Sequence, residues 1–420
     1  MAPESVLVSC IHREISGEIK LNGSKSISNR ALLIRALCKD KFNIFNLSDS
    51  DDTAFLNHLL NDGVDLFDAH HAGTTYRFLT AYLATKEGTQ ILTGSERMQQ
   101  RPVKVLVDAL NQLGANITYV DNEGYPPIKI SSPNDHWGNE ITLPADISSQ
   151  YISALLMIAP TLPDGLRICL EGEIVSGPYI EMTIGMMNYF GVSVRWHEQT
   201  LIVPNQEYIS KDYHVESDWS AASYYYIIAA LSERANIELL GLHQHSLQGD
   251  AAISEICQNF GIESLFFDNK VQIIKKKNAS FIESVEYDFI KVPDLAQSVS
   301  VICAGLGVKC LFSGLQTLRI KETDRILALQ NELMKLNVTL HKSPEMISNN
   351  AEEENYKQEG KACANESLPP IINTYNDHRM AMAFATLGLL FPIRINDPQV
   401  VSKSYPGFWK DLEVLRFDVL

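Results

Sequence analysis

Residues 323–338 read TDRILALQNELMKLNV, and this stretch holds both signals that organise the chain. Thr323-Asp324-Arg325 is a helix start, with small polar capping residues beside a base. Ile326, Leu329, Leu333 and Leu336 follow at three- and four-residue spacing, which lays one apolar stripe along a helix. Leu336-Asn337-Val338 is the stop: Asn tolerates the left-handed conformation that ends helices, and Val opens a strand.

Moving outward, the same stop recurs at Asp62-Gly63-Val64, Leu113-Gly114-Ala115, Phe190-Gly191-Val192 and Phe260-Gly261-Ile262. A last helix, near Trp409 to Leu415, supplies a sixth unit without the stop. These spacings are too long for a solenoid and suit a repeated β-α-β block. The start signal recurs as well, at Ser24-Lys25-Ser26, Gly73-Thr74-Thr75-Tyr76-Arg77, Ser148-Ser149-Gln150, Ser217-Asp218-Trp219-Ser220 and Asn376-Asp377-His378-Arg379. Any one of these is explained by ordinary capping. Six together, four of them carrying Lys or Arg, point to anion binding, because helix N-termini present free N–H groups and partial positive charge.

The bulk composition limits the function. A chain of 420 residues, 45% hydrophobic, suits two globular domains. A formal net charge of -16 argues against nucleic acid or anionic lipid as partner, so cations for an anionic substrate must be gathered locally. The start, MAPESVLVSCIHREI, lacks a secretory pattern and no window approaches a membrane span, so a cytoplasmic protein is expected. Seven cysteines without a CxxC pair read as reduced thiols. His70-His71 and His243/His245 lack companion ligands, so loop histidines are expected, with no metal and no cofactor. Residues 343 to 368 are polar, acidic and aperiodic, and read as a mobile surface loop.

Nine segments in order resemble motifs of the 3-phosphoshikimate enolpyruvyl transferase family. They are GSKSISNRALL (Gly23 to Leu33), AGTTYRF (Ala72 to Phe78), RMQQRPVKVLVDAL (Arg97 to Leu110), DISSQYISALLM (Asp146 to Met157), SGPYIEMT (Ser176 to Thr183), VPDLAQSV (Val292 to Val299), RIKETDRI (Arg319 to Ile326), TYNDHRMAMAF (Thr374 to Phe384) and VSKSYPGF (Val401 to Phe408). The resemblance implies an α/β fold, a two-domain inside-out α/β barrel in which each domain has three β-α-β-α-β-β units. It implies domains of residues 1–21 plus 217–420 and 22–216, with substrates in the cleft between them.

The resemblance also implies an activity: the enolpyruvyl group of phosphoenolpyruvate passes to the 5-hydroxyl of 3-phosphoshikimate and phosphate leaves, a shikimate-pathway step toward chorismate and aromatic amino acids. Carried over by motif, Lys25, Ser26, Arg30, Ser148, Ser149, Gln150, Ser176, Tyr179, Asp294 and Lys321 face 3-phosphoshikimate. Lys25, Gly73, Arg101, Gln150, Arg325, Arg379 and Lys403 face phosphoenolpyruvate, in the subsite where the family binds glyphosate. Asp294 is the candidate base for the 5-hydroxyl; Glu322 and Lys25 are the candidates for the proton at C3. Partners would be the two small molecules alone, acting on a monomer. The two substrates together bring about six negative charges, so several Arg and Lys residues are a physical necessity.

Some positions depart from the family pattern. The chain is short between Asp52 and Gly73, His71 stands where Asn or Ser is usual, Gly177 where Lys or Arg is common, and Thr317 replaces an Asn. The related transferases acting on a UDP-amino sugar usually carry a loop Cys before a Gly-Ala-Arg-Pro-like segment; here Ser95 to Gln100 precede Arg101-Pro102 without one. A non-catalytic anion-binding paralogue would need the cations but not both Asp294 and Glu322.

Overall fold

The computed structural model describes residues 4–61, 66–134, 136–345, 354–364 and 368–420. The chain forms two compact units, one of Met1–Asn22 with Glu216–Leu420 and one of Gly23–Val215. Each has its own apolar core.

In the larger unit one sheet plan occurs three times. Glu14–Lys20 runs parallel to Arg234–Leu240, which pairs antiparallel with Lys270–Lys275, and that strand with Ile262–Phe267. Ser284–Asp288, Lys309–Ser313, Asn355–Gly360 and Val338–Ser343 repeat the plan. So do Ile371–Ile372, Ile393–Asn396, Ser5–Ser9 and Asp418–Val419, the third sheet being closed by the N-terminal strand.

The smaller unit carries the plan twice in full. Leu66–Asp68, Thr89–Thr93, Ile128–Ser131 and Asn116–Tyr119 form one sheet; Glu140–Pro144, Leu166–Glu171, Thr200–Val203 and Arg195–His197 form the other. Its third sheet is the parallel pair Tyr213–His214 with Ile44–Phe45. The reason is visible in the chain: helix Asp51–Asn61 is followed by only residues 62–65 before Leu66–Asp68 begins, too few for the hairpin that closes four of the other five sheets. The short segment noted in the sequence is therefore a trimmed repeat.

Helices lie inside the sheets. Trp219–Leu231, sequence WSAASYYYIIAAL, is buried at all but Ser220, as an all-round apolar helix must be. It packs with Ala296–Leu306 and His378–Ala385, both almost wholly buried. In the smaller unit Lys25–Leu37, Gly73–Ala84 and Ser149–Ile158 pack together in the same way. Outer helices such as Lys104–Leu113 and Arg325–Met334 present one apolar face only.

The stop signals behave as their chemistry requires at Gly114, Gly191, Gly261 and Asn337, all with positive φ. The stop at Asp62-Gly63-Val64 lies outside the described residues. Two expectations need correction. The last helix, Phe408–Val414, does have a left-handed stop, supplied by Arg416 at φ 66; a non-glycine residue can take that conformation at a cost of about 1–2 kcal/mol, and a search for Gly or Asn misses it. Within residues 343 to 368, Asn355–Gly360 is a strand, not a loop, while residues 346–353 and 365–367 lie outside the described residues. The strand's buried side chains, Asn355, Tyr356 and Gln358, are mostly polar, with Gln358 accepting from the Ser300 hydroxyl at 2.5 Å and donating to the Ser300 carbonyl at 2.9 Å, so hydropathy hid the strand. Among the described residues no helix is long and apolar enough to cross a membrane, and the seven cysteines are free thiols.

Candidate active site

The fold gathers the candidate residues for one reason. In a strand–helix–strand crossover the helix starts beside the carboxyl end of the strand before it, and ligands collect there. Lys25, Gly73 and Ser149 are the first residues of three buried helices; Arg379 is the second residue of another, and Asp294 lies in the turn Pro293–Leu295 just before Ala296–Leu306. The outer helices add Ser176, Arg325 and, through the turn Pro398–Lys403, Lys403.

In the larger unit these residues form one ion network. Arg325 is almost completely buried and divides its guanidinium among three carboxylates: Nε to Asp377 Oδ2 at 2.6 Å, Nη1 to Asp294 Oδ1 at 2.8 Å and Nη2 to Glu322 Oε2 at 2.7 Å. Arg379 donates to the other oxygen of Asp294 at 3.1 Å, and Lys321 stands 3.6 Å from Asp294 Oδ1. Asp377 serves twice, since its Oδ1 also accepts the Arg379 backbone N–H and caps that helix. The turn before it holds Tyr375 and Asn376 in left-handed conformations; the Tyr375 hydroxyl donates to buried Glu332 at 2.7 Å and Lys403 donates to the Asn376 carbonyl at 2.6 Å, which pins the turn.

Charge follows from this geometry. Burial would push the Asp294 carboxyl up, but Arg379, Lys321 and Arg325 together hold it well below the usual carboxylate range. Burial lowers the Lys321 ammonium, against the opposing pull of Asp294. Burial would lower Arg325 too, but Asp377, Glu322 and Asp294 outweigh it and hold its charge. Beyond Arg379, the Ser220 hydroxyl accepts from Arg379 Nη2 at 3.3 Å and donates to Asp250. Burial pushes Asp250 up to about 6, eased by Arg379 and reinforced by Asp294.

The smaller unit differs in kind. Lys25 Nζ pairs with Asp52 Oδ2 at 3.0 Å. A Cβ on Gly73 would come 2.5 Å from Arg101 Nη1 and 2.7 Å from Arg77 Nη1, so the missing side chain is room taken by two guanidinium groups. Arg77 donates to the Gly73 carbonyl at 3.0 Å, and Gln150 Nε2 donates to the Thr74 hydroxyl at 3.0 Å. Ser148 caps its helix through the Gln150 N–H. Ser176 is buried with φ 58 at the start of Gly177–Tyr189.

Arg30 sits deeper than a simple contact residue. It donates to Thr183 Oγ1 at 2.7 Å, Ser153 Oγ at 3.0 Å, the Tyr179 carbonyl at 3.2 Å and the Ser26 carbonyl at 2.9 Å. Burial lowers its guanidinium to about 10. It thereby fixes the backbone at Ser26 and Tyr179, two other candidates.

The structure thus brings Asp294, Lys321, Glu322, Arg325 and Arg379 into direct contact, and sets Lys403 one residue chain away through Asn376. In the other unit it sets Lys25, Ser26, Gly73, Ser148, Ser149, Gln150, Ser176 and Tyr179 at helix starts, with Arg30 farther along its helix but bonded to the Ser26 and Tyr179 carbonyls, and Arg101 against Gly73. Sequence reasoning missed Asp52, Arg77, Ser220 and Asp250, and read Asp377 only as part of a cap. Arg77 was quoted within a motif, and Asp52 opens a helix beside Asp51; Asp250 carried no signal at all. Thr317 is buried and its hydroxyl has no hydrogen-bond partner among the described residues.

A family model described as EPSP synthase (3-phosphoshikimate 1-carboxyvinyltransferase) matches residues 11–62 and 61–412. A 3-phosphoshikimate 1-carboxyvinyltransferase of Bacteroides fragilis (strain YCH46) is 49% identical over 409 residues, covering 97% of this chain and 97% of that protein. One of Actinobacillus pleuropneumoniae serotype 3 (strain JL03) is 34% identical over 449 residues, covering 98% and 99%. The solved EPSP synthase of Acinetobacter baumannii superposes with a TM-score of 0.76 at 18% identity, covering 99% of this chain and 100% of that one, which shows the same two-domain α/β fold.

Proposed function

The chain belongs to the EPSP synthase (3-phosphoshikimate 1-carboxyvinyltransferase) family, and from that premise we propose how its residues carry the reaction. It transfers the enolpyruvyl group of phosphoenolpyruvate to the 5-hydroxyl of 3-phosphoshikimate and releases phosphate, in the shikimate pathway. The single observation that carries the residue assignment is the Arg325 clamp. One buried guanidinium holds Asp294 and Glu322 by one oxygen each, and Arg379 holds the second oxygen of Asp294, so the two candidate proton-transfer groups are fixed side by side on one anchor.

The reaction is an addition followed by an elimination. C3 of phosphoenolpyruvate takes a proton, the 5-hydroxyl attacks C2, and the tetrahedral adduct then loses a proton from C3 and expels phosphate. Asp294 takes the 5-hydroxyl proton; Glu322 and Lys25 are the groups that give and recover the proton at C3. Arg379, Lys321 and Arg325 hold Asp294 ionised, which by itself would make it a weak base. Substrate phosphate and carboxylate neutralise those cations, which raises the basicity of Asp294 when it is needed. Arg101, Arg325, Arg379, Lys403, Gly73, Gln150 and Lys25 hold phosphoenolpyruvate. Lys25, Ser26, Arg30, Ser148, Ser149, Gln150, Ser176, Tyr179, Asp294 and Lys321 hold or frame 3-phosphoshikimate.

Substrate binding therefore draws on residues of both 22–216 and 1–21 plus 217–420. The enzyme works as a monomer in the cytoplasm on these two small molecules, without nucleic acid or membrane. The test is phosphate release from phosphoenolpyruvate with 3-phosphoshikimate as acceptor and, separately, with UDP-N-acetylglucosamine. Release with the first only supports the reading; release with the second, or with neither, overturns it.

A further inference from the structure

His71 lies in the turn between strand Leu66–Asp68 and helix Gly73–Ala84. Its Nε2 is 3.6 Å from Asp52 Oδ1, and the other oxygen of that carboxylate is 3.0 Å from Lys25 Nζ. Asp52 is buried, and its backbone carbonyl accepts the Thr75 hydroxyl at 2.9 Å, which fixes the helix start to the Gly73 turn. Phe55, on the same helix as Asp52, sets its ring edge-on to His71 with centroids 5.7 Å apart. One buried carboxylate thus stands between a permanent cation and a side chain whose charge changes near neutral pH.

We propose that His71 is a positioning residue that sets, through Asp52, how much of the Lys25 charge is available to substrate. The proposal rests on the assignment of Lys25 to the substrate anions. With His71 neutral, Asp52 turns its full charge on Lys25. With His71 protonated, the carboxylate is shared and the pocket gains a positive charge, so an anion at Lys25 is held more tightly. Phosphoenolpyruvate affinity therefore carries a component that strengthens as pH falls through the histidine range. Among the described residues the other charged groups around this turn are His70 with Asp68 at 3.6 Å, Asp51 next in chain to Asp52, and Arg77 and Arg101 over Gly73. His70, the other imidazole in this turn, stands beside Asp68 and not beside Asp52.

The experiment measures phosphoenolpyruvate KM, and phosphoenolpyruvate binding by calorimetry with 3-phosphoshikimate present, from about pH 6 to pH 8. The proteins are wild type, His71→Asn, His71→Gln and Lys25→Met. The substrate's own phosphate titrates in this range, so the quantity read is the ratio of variant to wild type at each pH. Both His71 variants are expected to lose affinity relative to wild type by about 3- to 10-fold at the acid end, the scale of one partly exposed charge pair, and to converge with it at the alkaline end. A ratio that stays flat with pH overturns the proposal, even if the variants melt earlier, because a purely structural His71 moves stability and not the pH profile. If Lys25→Met leaves phosphoenolpyruvate affinity and turnover intact, the site assignment itself has failed. If Lys25→Met is defective while both His71 variants track wild type at every pH, the assignment stands and this inference falls.

Discussion

The cation clusters of the two units are built on opposite principles. Around Arg325, three cations (Lys321, Arg325 and Arg379) face four carboxylates (Asp294, Glu322, Asp377 and Asp250) in a nearly closed network. Around Gly73 stand the cations Lys25, Arg77 and Arg101; among the described residues Lys25 pairs with Asp52, Arg77 donates to the Gly73 carbonyl, and both guanidinium groups crowd the Gly73 position. A balanced network tunes proton affinities and resists the approach of further anions until substrate rearranges it. A cation-rich one attracts anions at once. The first is suited to moving protons, the second to gripping phosphate and carboxylate.

The largest expected effect breaks the balanced side. Asp294→Asn keeps size and some hydrogen bonding but cannot accept the 5-hydroxyl proton, so turnover should fall by about 10²- to 10⁴-fold while direct 3-phosphoshikimate binding changes little. Normal turnover would reduce Asp294 to a structural anchor. Breaking the cation-rich side should fail differently. Arg101→Ala should cost on the order of 2–5 kcal/mol in apparent phosphoenolpyruvate affinity, read as a raised KM, with a smaller change in turnover. If both variants lose turnover alone, the two clusters do not divide the work as described.

A smaller effect sharpens the comparison through pH. The Asp250 carboxyl sits at about 6 in the folded protein, above its unfolded value, so the native state binds the extra proton. Its contribution to stability is then greatest at low pH and is lost as pH rises from about 4 through 6. Asp250→Asn cannot ionise and can still accept from Ser220. Its melting temperature should gain on wild type over that window and hold the gain above it, by the equivalent of about 1–3 kcal/mol. A constant offset at all pH values would show that Asp250 titrates as it does in the unfolded chain. The smallest expected change is Gly73→Ala. Its new methyl must displace Arg101 and Arg77, both flexible at the tip, so phosphoenolpyruvate KM should rise by about 3- to 10-fold and inhibition by glyphosate should weaken in parallel. Unchanged values would mean that the guanidinium groups shift without consequence.

How far the sequence was legible follows the same chemistry. Helix starts and stops are local, so Gly114, Gly191, Gly261 and Asn337 announced the repeats, and the motif residues fell at helix N-termini. What stayed hidden depends on pairing across distant parts of the chain. The contact of Asp377 with Arg325 joins residues on two helices, and the strand Asn355–Gly360 is stabilised by Ser300 far before it. Arg416 escaped because a left-handed arginine has no compositional mark. Asp250 escaped because a lone aspartate in a polar loop looks like any other until burial is known.

The strand Ser5–Ser9 has a consequence for how the molecule is made. It leaves the ribosome before any of Gly23–Val215, yet both of its partners, Ile393–Asn396 and Asp418–Val419, follow that whole stretch in the chain. Gly23–Val215, by contrast, is one uninterrupted stretch with its own core. During translation the smaller unit can finish folding while the earlier strand still waits, its edge unpaired and open to wrong partners, until synthesis reaches the strands that close it.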